Sequence, residues 1–292
     1  MQSKSIAFLL LLMIASVAAA DAVEDSDQPV EIANLAQHVE AMDSSGFHLT
    51  LEGGWMWGPV SGHLQTPSGG RPGTTSPNRP TLSELGIEHA SIFDAEIRPG
   101  IGKNEIYLGS QWVRMQKRRV TLDEDLTSQG NFFPAGTIVE ADVKMDWYRL
   151  GWRYLIQRGD EPGAFLPVDI HSRLGAALLD FRYKLDSGGP AEVDRGYKKV
   201  APQLGIDMEW HATKKFSIAG ELTSTVPFSS MPLIITADVV AKYDFIEKGG
   251  CTLSGFIGAG YEKISFHDSQ QVNNDINADF GPMIKVGLEL KF

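Results

Sequence analysis

The chain ends "GPMIKVGLELKF", residues 281–292. From Ile284 onward the apolar residues fall on every second position: Ile284, Val286, Leu288, Leu290 and Phe292. Lys285, Gly287, Glu289 and Lys291 lie between them. A period of two marks a β-strand with one apolar face. Chain ends are usually frayed and polar, yet here the last residue is an aromatic in phase with the strand. An ordered final strand needs neighbours on its edges, which directs attention to the rest of the chain.

The same period recurs upstream from Gly46. "FHLTLEGGWMW" (47–57) sets Phe47, Leu49, Leu51, Trp55 and Trp57 against His48, Thr50 and Glu52. "SIFDAEIRPGI" (91–101) opposes Phe93, Ala95 and Ile97 to Asp94, Glu96 and Arg98. "NEIYLGSQWVRMQ" (104–116) alternates less clearly. In the long stretch 138–156, Val143, Met145 and Trp147 form one apolar set, and Tyr148, Leu150, Trp152 and Tyr154 a second set out of phase with it. That change of phase predicts a bulge between Trp147 and Tyr148. Ala177, Leu179, Phe181 and Tyr183 oppose Asp180, Arg182 and Lys184. Carried backward, that phase would put Asp169, His171 and Arg173 on the apolar face, so either the strand slips near Gly175 or those residues lie beyond the membrane-facing part. Three more segments alternate, at residues 200–212, 216–226 and 234–245, and 252–266 reads as a further strand. Long connectors alternate with tight ones such as "GKN" (102–104), "TKK" (213–215) and "EKGG" (247–250). Within the first long loop, "TLSE" (81–84) has the spacing of a capping box around one helical turn.

Composition bounds the function. The chain has 292 residues and a net charge of -11, which argues against a nucleic-acid partner. Its single cysteine, Cys251, rules out an intrachain disulfide. "MQSKSIAFLLLLMIASVAAA" (1–20) has a charged start, a short apolar run and small residues at its end, the pattern of a secretory signal cleaved near Ala20. Residues 21–45 are acidic and polar and read as a periplasmic N-terminal segment, with 46–292 as the barrel domain.

Alternation by itself fits a soluble barrel as well as a membrane one. Three features favour the membrane. The polar face carries charges of both signs. The segments are long enough for the 9–11 residues that a tilted strand needs to cross a bilayer. Aromatics such as Trp55, Trp57, Trp112, Trp152, Trp210 and Tyr243 gather toward strand ends, as at membrane interfaces. Backbone groups in lipid must be paired within the protein, so a spanning sheet has to close on itself. The fold class expected is therefore all-β: a closed antiparallel transmembrane β-barrel of about ten strands, with both termini periplasmic.

On the signal, the girdled alternating strands, "YRLGWRY" (148–154) and the terminal "VGLELKF", the chain resembles the bacterial outer-membrane β-barrel proteins, in the class of about eight to ten strands. The resemblance implies a place in the bacterial outer membrane, contact with its lipid and lipopolysaccharide, and insertion by the barrel-assembly machinery. Leu288, Leu290 and Phe292 would form the recognised C-terminal signal.

The charges expected inside are Glu52, Asp94, Glu96, Arg98, Arg114, Lys144, Asp146, Arg149, Arg153, Asp180, Arg182, Asp207, Glu209, Glu221, Asp238, Lys242 and Lys285, with Glu289. In a narrow barrel such charges would satisfy one another as a structural network; the alternative is a narrow pore in which they line a water path. An enzyme is a third reading. Outer-membrane proteases use Asp and His at the extracellular rim, but Asp207, Glu209 and His211 adjoin the tight "TKK" turn at the opposite end. Lipid A deacylases pair His with Ser, but His171 and Ser172 are adjacent and face opposite ways on a strand. "LDEDL" (122–126) and "DSQQVNNDINAD" (268–279) lack the pattern of a calcium loop. No cofactor or metal site is expected, and the surface ligand of the long loops is not specified.

Overall fold

The computed structural model describes residues 46–65, 80–115, 118–128, 131–189, 192–228, 230–267 and 275–292. The signal and the N-terminal segment lie outside these residues, as does most of the acidic stretch 268–279. Among the described residues the strands are β1 (Phe47–Gln65), β2 (His89–Ile101), β3 (Asn104–Met115), β4 (Arg119–Thr121), β5 (Leu126–Ser128), β6 (Asn131–Phe133), β7 (Ile138–Gln157), β8 (Asp169–Asp186), β9 (Glu192–His211), β10 (Phe216–Thr225), β11 (Leu233–Lys248), β12 (Cys251–His267) and β13 (Asp275–Lys291). The ten long ones form a continuous antiparallel ring in the order β3-β2-β1-β13-β12-β11-β10-β9-β8-β7, and β3 pairs with β7 to close it. β4 adds to β7, and β5 and β6 form a separate hairpin in the β3–β7 connection.

The terminal strand seals the ring. β13 pairs with β12 on one edge and with β1 on the other, with Leu290 opposite both Leu253 and Leu51. At the end of the seam, Phe292 N donates to Leu49 O at 2.9 Å and Leu49 N donates to Phe292 O at 3.2 Å. The last residue is thus ordered by hydrogen bonds to the strand nearest the start of the barrel. Both ends of the barrel chain meet at one rim, here the turn end, with the connections 102–103, 158–168, 212–215 and 249–250. The opposite rim is the loop end.

The strands carry two chemistries along their length. Toward the turn end the outer surface is an apolar belt: Phe93, Ile97, Leu108, Leu150, Trp152, Leu174, Leu204, Met208, Val239, Tyr243, Ile257, Ile284 and Leu288 are all exposed. On β7 the belt runs from Tyr148 to Ile156, about nine residues, enough for a tilted strand to cross a bilayer. An exposed apolar surface this extensive is a lipid-facing one. Toward the loop end the outside becomes a polar collar of Asp142, Lys144, Asp146, Asp180, Arg182, Lys184 and Lys198, while the inside becomes apolar. There Val143, Met145, Trp147, Leu179, Phe181, Tyr183, Phe266, Ile276 and Phe280 form one buried core. Phe181 stacks on Tyr197, whose ring meets Phe266 at a tilt, with centroids 4.9 and 4.8 Å apart.

The two expectations about strand phase are corrected by this arrangement. β7 has no bulge at Trp147/Tyr148; its pairing with β8 runs unbroken from Glu140 to Leu155. Odd positions point inward from Val139 to Leu155, so Trp147 is inside and Tyr148 outside. The apparent slip marks the level at which the outer solvent changes from water to lipid. Likewise β8 keeps one phase: Arg173, Ala177, Leu179, Phe181 and Tyr183 all face inward. Their apolar row packs the core, not lipid.

The loops seal the mouth. Leu82, Leu85 and Ile87 from the β1–β2 connection and Leu122, Leu126 and Phe133 from the β3–β7 connection are buried in the same core. "TLSE" makes the reciprocal capping bonds, Thr81 N to Glu84 Oε2 at 2.7 Å and Glu84 N to Thr81 Oγ1 at 3.2 Å, around a single turn that presents Leu82 and Leu85 inward.

Substitutions should separate the two levels. Phe181→Ala should lower stability by about 3–5 kcal/mol, the magnitude for an emptied core position. Leu204→Arg in the belt should cost about 2–4 kcal/mol, and Lys144→Ala in the collar less than about 0.5 kcal/mol. Reversible urea unfolding in lipid vesicles measures all three; a negligible effect of Phe181→Ala would show that this row does not face a core.

Candidate functional site

Below the apolar core, the inward positions of the same strands are charged. Glu96 is the hub. Its carboxylate meets Arg98 at 2.7 Å, Arg149 at 2.8 Å and Arg173 at 3.0 Å. Each arginine reaches further acids: Arg98 to Glu52 (3.1 Å) and Glu289 (2.9 Å), Arg149 to Asp94 (3.2 Å), and Arg173 to Asp207 (2.9 Å) and Glu221 (3.2 Å). Arg153 joins Glu105 and Asp207, Lys242 joins Glu289 at 3.1 Å, and Lys285 joins Asp238. These links tie β1, β2, β3, β7, β8, β9, β10, β11 and β13 together across the interior. Arginine suits the role because its planar fork can address several carboxylates at once.

Close backbone approach makes room for the network. Gly151 and Gly175 are paired across β7 and β8. A Cβ on either would lie 2.4 Å from the Tyr107 hydroxyl oxygen, so the ring occupies the notch they leave. Arg173 stacks over that ring at 5.0 Å. The Tyr107 hydroxyl donates to Gln203 Oε1 at 3.4 Å, and Gln203 Nε2 donates to Thr223 Oγ1 at 3.2 Å, which extends the polar layer to β10. At the boundary with the apolar core, Arg149 lies 5.4 Å from the Trp147 ring, and Trp147 Nε1 donates to Glu262 Oε1 at 3.2 Å.

Toward the turn end the network opens into a vestibule of about 890 Å³. Its walls include Glu52, Arg98, Arg153, Asp207, Lys242 and Glu289, and its mouth includes Gly46, Lys103, Asp160, His211 and Phe292. His48 Nε2 lies 3.0 Å from Glu105, and His211 Nε2 lies 3.2 Å from Asp169.

Of the charges expected inside, Glu52, Asp94, Glu96, Arg98, Arg149, Arg153, Asp207, Glu209, Glu221, Asp238, Lys242, Lys285 and Glu289 are turned to the interior. Arg114, Lys144, Asp146, Asp180 and Arg182 are not. They lie on the outer face of the collar, where alternate neighbours such as Val113, Met145 and Phe181 take the inside. There Arg114 pairs with Asp146 at 2.7 Å, Lys198 with Asp180 at 3.1 Å, and Arg182 with Asp194 at 3.0 Å. Hydrogen bonds from Arg182 and Lys184 hold the Asp194 carboxyl down at about 2. Glu105, Arg173, Glu262 and Tyr107 are interior members that the strand reading missed. Alternation carried back from Leu179 does put Arg173 in the row of Ala177, Leu179, Phe181 and Tyr183; it is interior because that row faces inward.

Of the enzyme-like groups, Asp207, Glu209, His171 and His211 line the vestibule. His171 lines the vestibule while Ser172 takes the alternate face of β8, and His211 lies at the turn-end mouth. Among the described residues no cluster of three or more His, Cys, Asp or Glu has metal-binding geometry.

No family model matches the chain, and no curated protein does. Solved structures similar to it are outer-membrane barrels. The outer-membrane protease OmpT of Escherichia coli has a TM-score of 0.43 at 12% identity, over 84% of this chain and 96% of that one. Ail, the attachment invasion locus protein of Yersinia pestis, has a TM-score of 0.34 at 11% identity, over 84% and 98%. Neisserial surface protein A has a TM-score of 0.32 at 12% identity, over 85% and 98%.

Removing one member of the network should be severe. Arg173→Met leaves Glu96, Asp207 and Glu221 short of a buried partner and should cost about 3–5 kcal/mol. Unfolding of the variant in vesicles tests this; a loss below about 1 kcal/mol would mean that the pairs are solvated and exchangeable.

Proposed function

We propose that the protein is an integral barrel of the bacterial outer membrane whose work is structural or done at the surface by its loop end. In this reading the turn end, with both barrel termini, faces the periplasm, and the collar and loops stand outside the cell. Lipopolysaccharide would surround the upper belt and collar. Leu288, Leu290 and Phe292 would serve as the signal read by the barrel-assembly machinery, and the residue whose backbone completes the seam would also be the residue recognised.

One observation carries the closed-lumen reading: the loop-end half of the interior is filled by a continuous apolar core, with Trp147, Phe181, Phe266 and Phe280 each at most 1% exposed. A hydrated ion passing from the vestibule would have to cross that core without polar partners, a large desolvation barrier. The vestibule favours the second reading, a narrow channel, only if the core moves aside. A non-enzymatic role is supported by the separation of the His171 and Ser172 side chains and by the turn-end position of His211.

Planar-bilayer recording decides between the two. The refolded protein should be silent at potentials to which pores respond, and paired replacement of Trp147 and Phe181 by Ala should introduce leak. Steady ohmic openings from the unmodified protein would overturn the closed-lumen reading. Deleting Phe292 should reduce the yield of inserted barrel in cells; normal insertion would remove the assembly role assigned to it.

A further inference from the structure

At the turn end, the described residues include one exposed apolar group that the strands themselves do not account for. Phe165 is 87% exposed, the highest value among the exposed large hydrophobics of the described residues. It lies beside exposed Leu166 in the β7–β8 connection, 158–168, at the turn end. The other turn-end connections are Gly102-Lys103, Ala212-Thr213-Lys214-Lys215 and Gly249-Gly250, without a large apolar side chain.

The register shows where this pair sits. β7–β8 pairing shifts between Leu155 and Gln157: Leu155 lies opposite His171, but Gln157 lies opposite Ile170. Leu155 and His171 line the vestibule. The extra residue of a bulge re-aims the side chains around it, so Ile156 and Gln157 both oppose outward-facing Ile170. Gln157 then acts as a clamp on the connection. Its Nε2 donates to Leu166 O at 2.7 Å and Val168 O at 3.2 Å, and its Oε1 accepts from Phe165 N at 2.9 Å. The first half of the connection, Arg158 to Asp160, lines the vestibule mouth, and Glu161 pairs with Lys103 at 3.5 Å. The connection therefore swings across the rim: it starts over the mouth, is held at Phe165 and Leu166 by Gln157 at the end of β7, next in sequence to exposed Ile156, and returns to the mouth at Pro167.

We propose that Phe165 and Leu166 form a lipid wedge, a turn-borne extension of the belt that enters the headgroup–acyl boundary of the leaflet at the turn end. Continuity with the belt selects lipid as the occupant. A large apolar side chain held in place in water would be a liability; against a bilayer interface it is an anchor, and aromatic side chains favour that depth. The inference rests on the membrane-spanning reading, and the experiment separates the two.

Phe165→Cys, Leu204→Cys and Lys214→Cys, each in a Cys251→Ser background, are spin-labelled and refolded into vesicles of phosphatidylcholine and phosphatidylglycerol. Power saturation compares access by oxygen, which concentrates in lipid, with access by a water-soluble nickel chelate. The labels at 165 and 204 should each be reached several-fold better by oxygen than by nickel, with 165 the shallower, and the label at 214 should show the reverse. A label at 165 that behaves like 214 while 204 stays in lipid overturns the wedge alone. A label at 204 that also behaves like 214 overturns the membrane reading itself. Shielding at 165 from both reagents that grows with protein density would mean contact between copies and would overturn lipid as the occupant. Adding Gln157→Leu should move 165 toward the behaviour of 214; an unchanged ratio would overturn the clamp.

Discussion

The structure depends on a change of solvent along one unbroken strand. Closure fixes the alternation of side chains: each strand pairs on both edges, so its odd and even positions cannot exchange faces without a bulge. Around the turn-end half the outside is lipid, so the outward row is apolar and the inward row is free to be polar. Around the loop-end half the outside is water, so the outward row is charged and the interior must supply the apolar core. β7 passes from one regime to the other within two residues, Trp147 inward and Tyr148 outward. The two halves resemble a soluble barrel and a membrane barrel joined end to end on the same strands.

The polar interior follows from the same constraint. The ring closes around inward side chains that lipid cannot solvate, and Glu96 with Arg98, Arg149 and Arg173 resolves this by mutual pairing. Replacing such a network by well-packed apolar residues would often be neutral or favourable for stability. What the network adds is a constraint on register: charged partners on nine strands meet only if every strand is in register. The vestibule below is the part of the interior that pairing leaves open.

Much of the fold was legible in the chain. Period two, connector lengths and the girdle residues indicate a barrel of about ten strands, and "VGLELKF" indicates its last strand. The depth of the barrel was not legible. Ala177, Leu179, Phe181 and Tyr183 look like a lipid-facing row, because an apolar row says nothing about which solvent lies opposite. Reading them outward put Asp180 and Arg182 in the lumen, and the same inversion misplaced Lys144 and Asp146. One clue was present: at Trp147/Tyr148 both faces are apolar at adjacent positions, which a bulge explains as readily as a change of medium. Tyr107 and its paired glycines were beyond reach, since a notch between strands depends on register that sequence spacing does not supply.

The level at which the medium changes is therefore the quantity to measure. Single cysteines at outward positions 194, 196, 198, 204, 206 and 208 of β9, in a Cys251→Ser background, can be exposed in vesicles to a maleimide that does not enter lipid. Ready labelling is expected at 194, 196 and 198 and protection at 204, 206 and 208, with the boundary near Val200. Protection extending to 194 would put the collar in the bilayer and contradict the two-level barrel; labelling along the whole row would contradict a lipid belt.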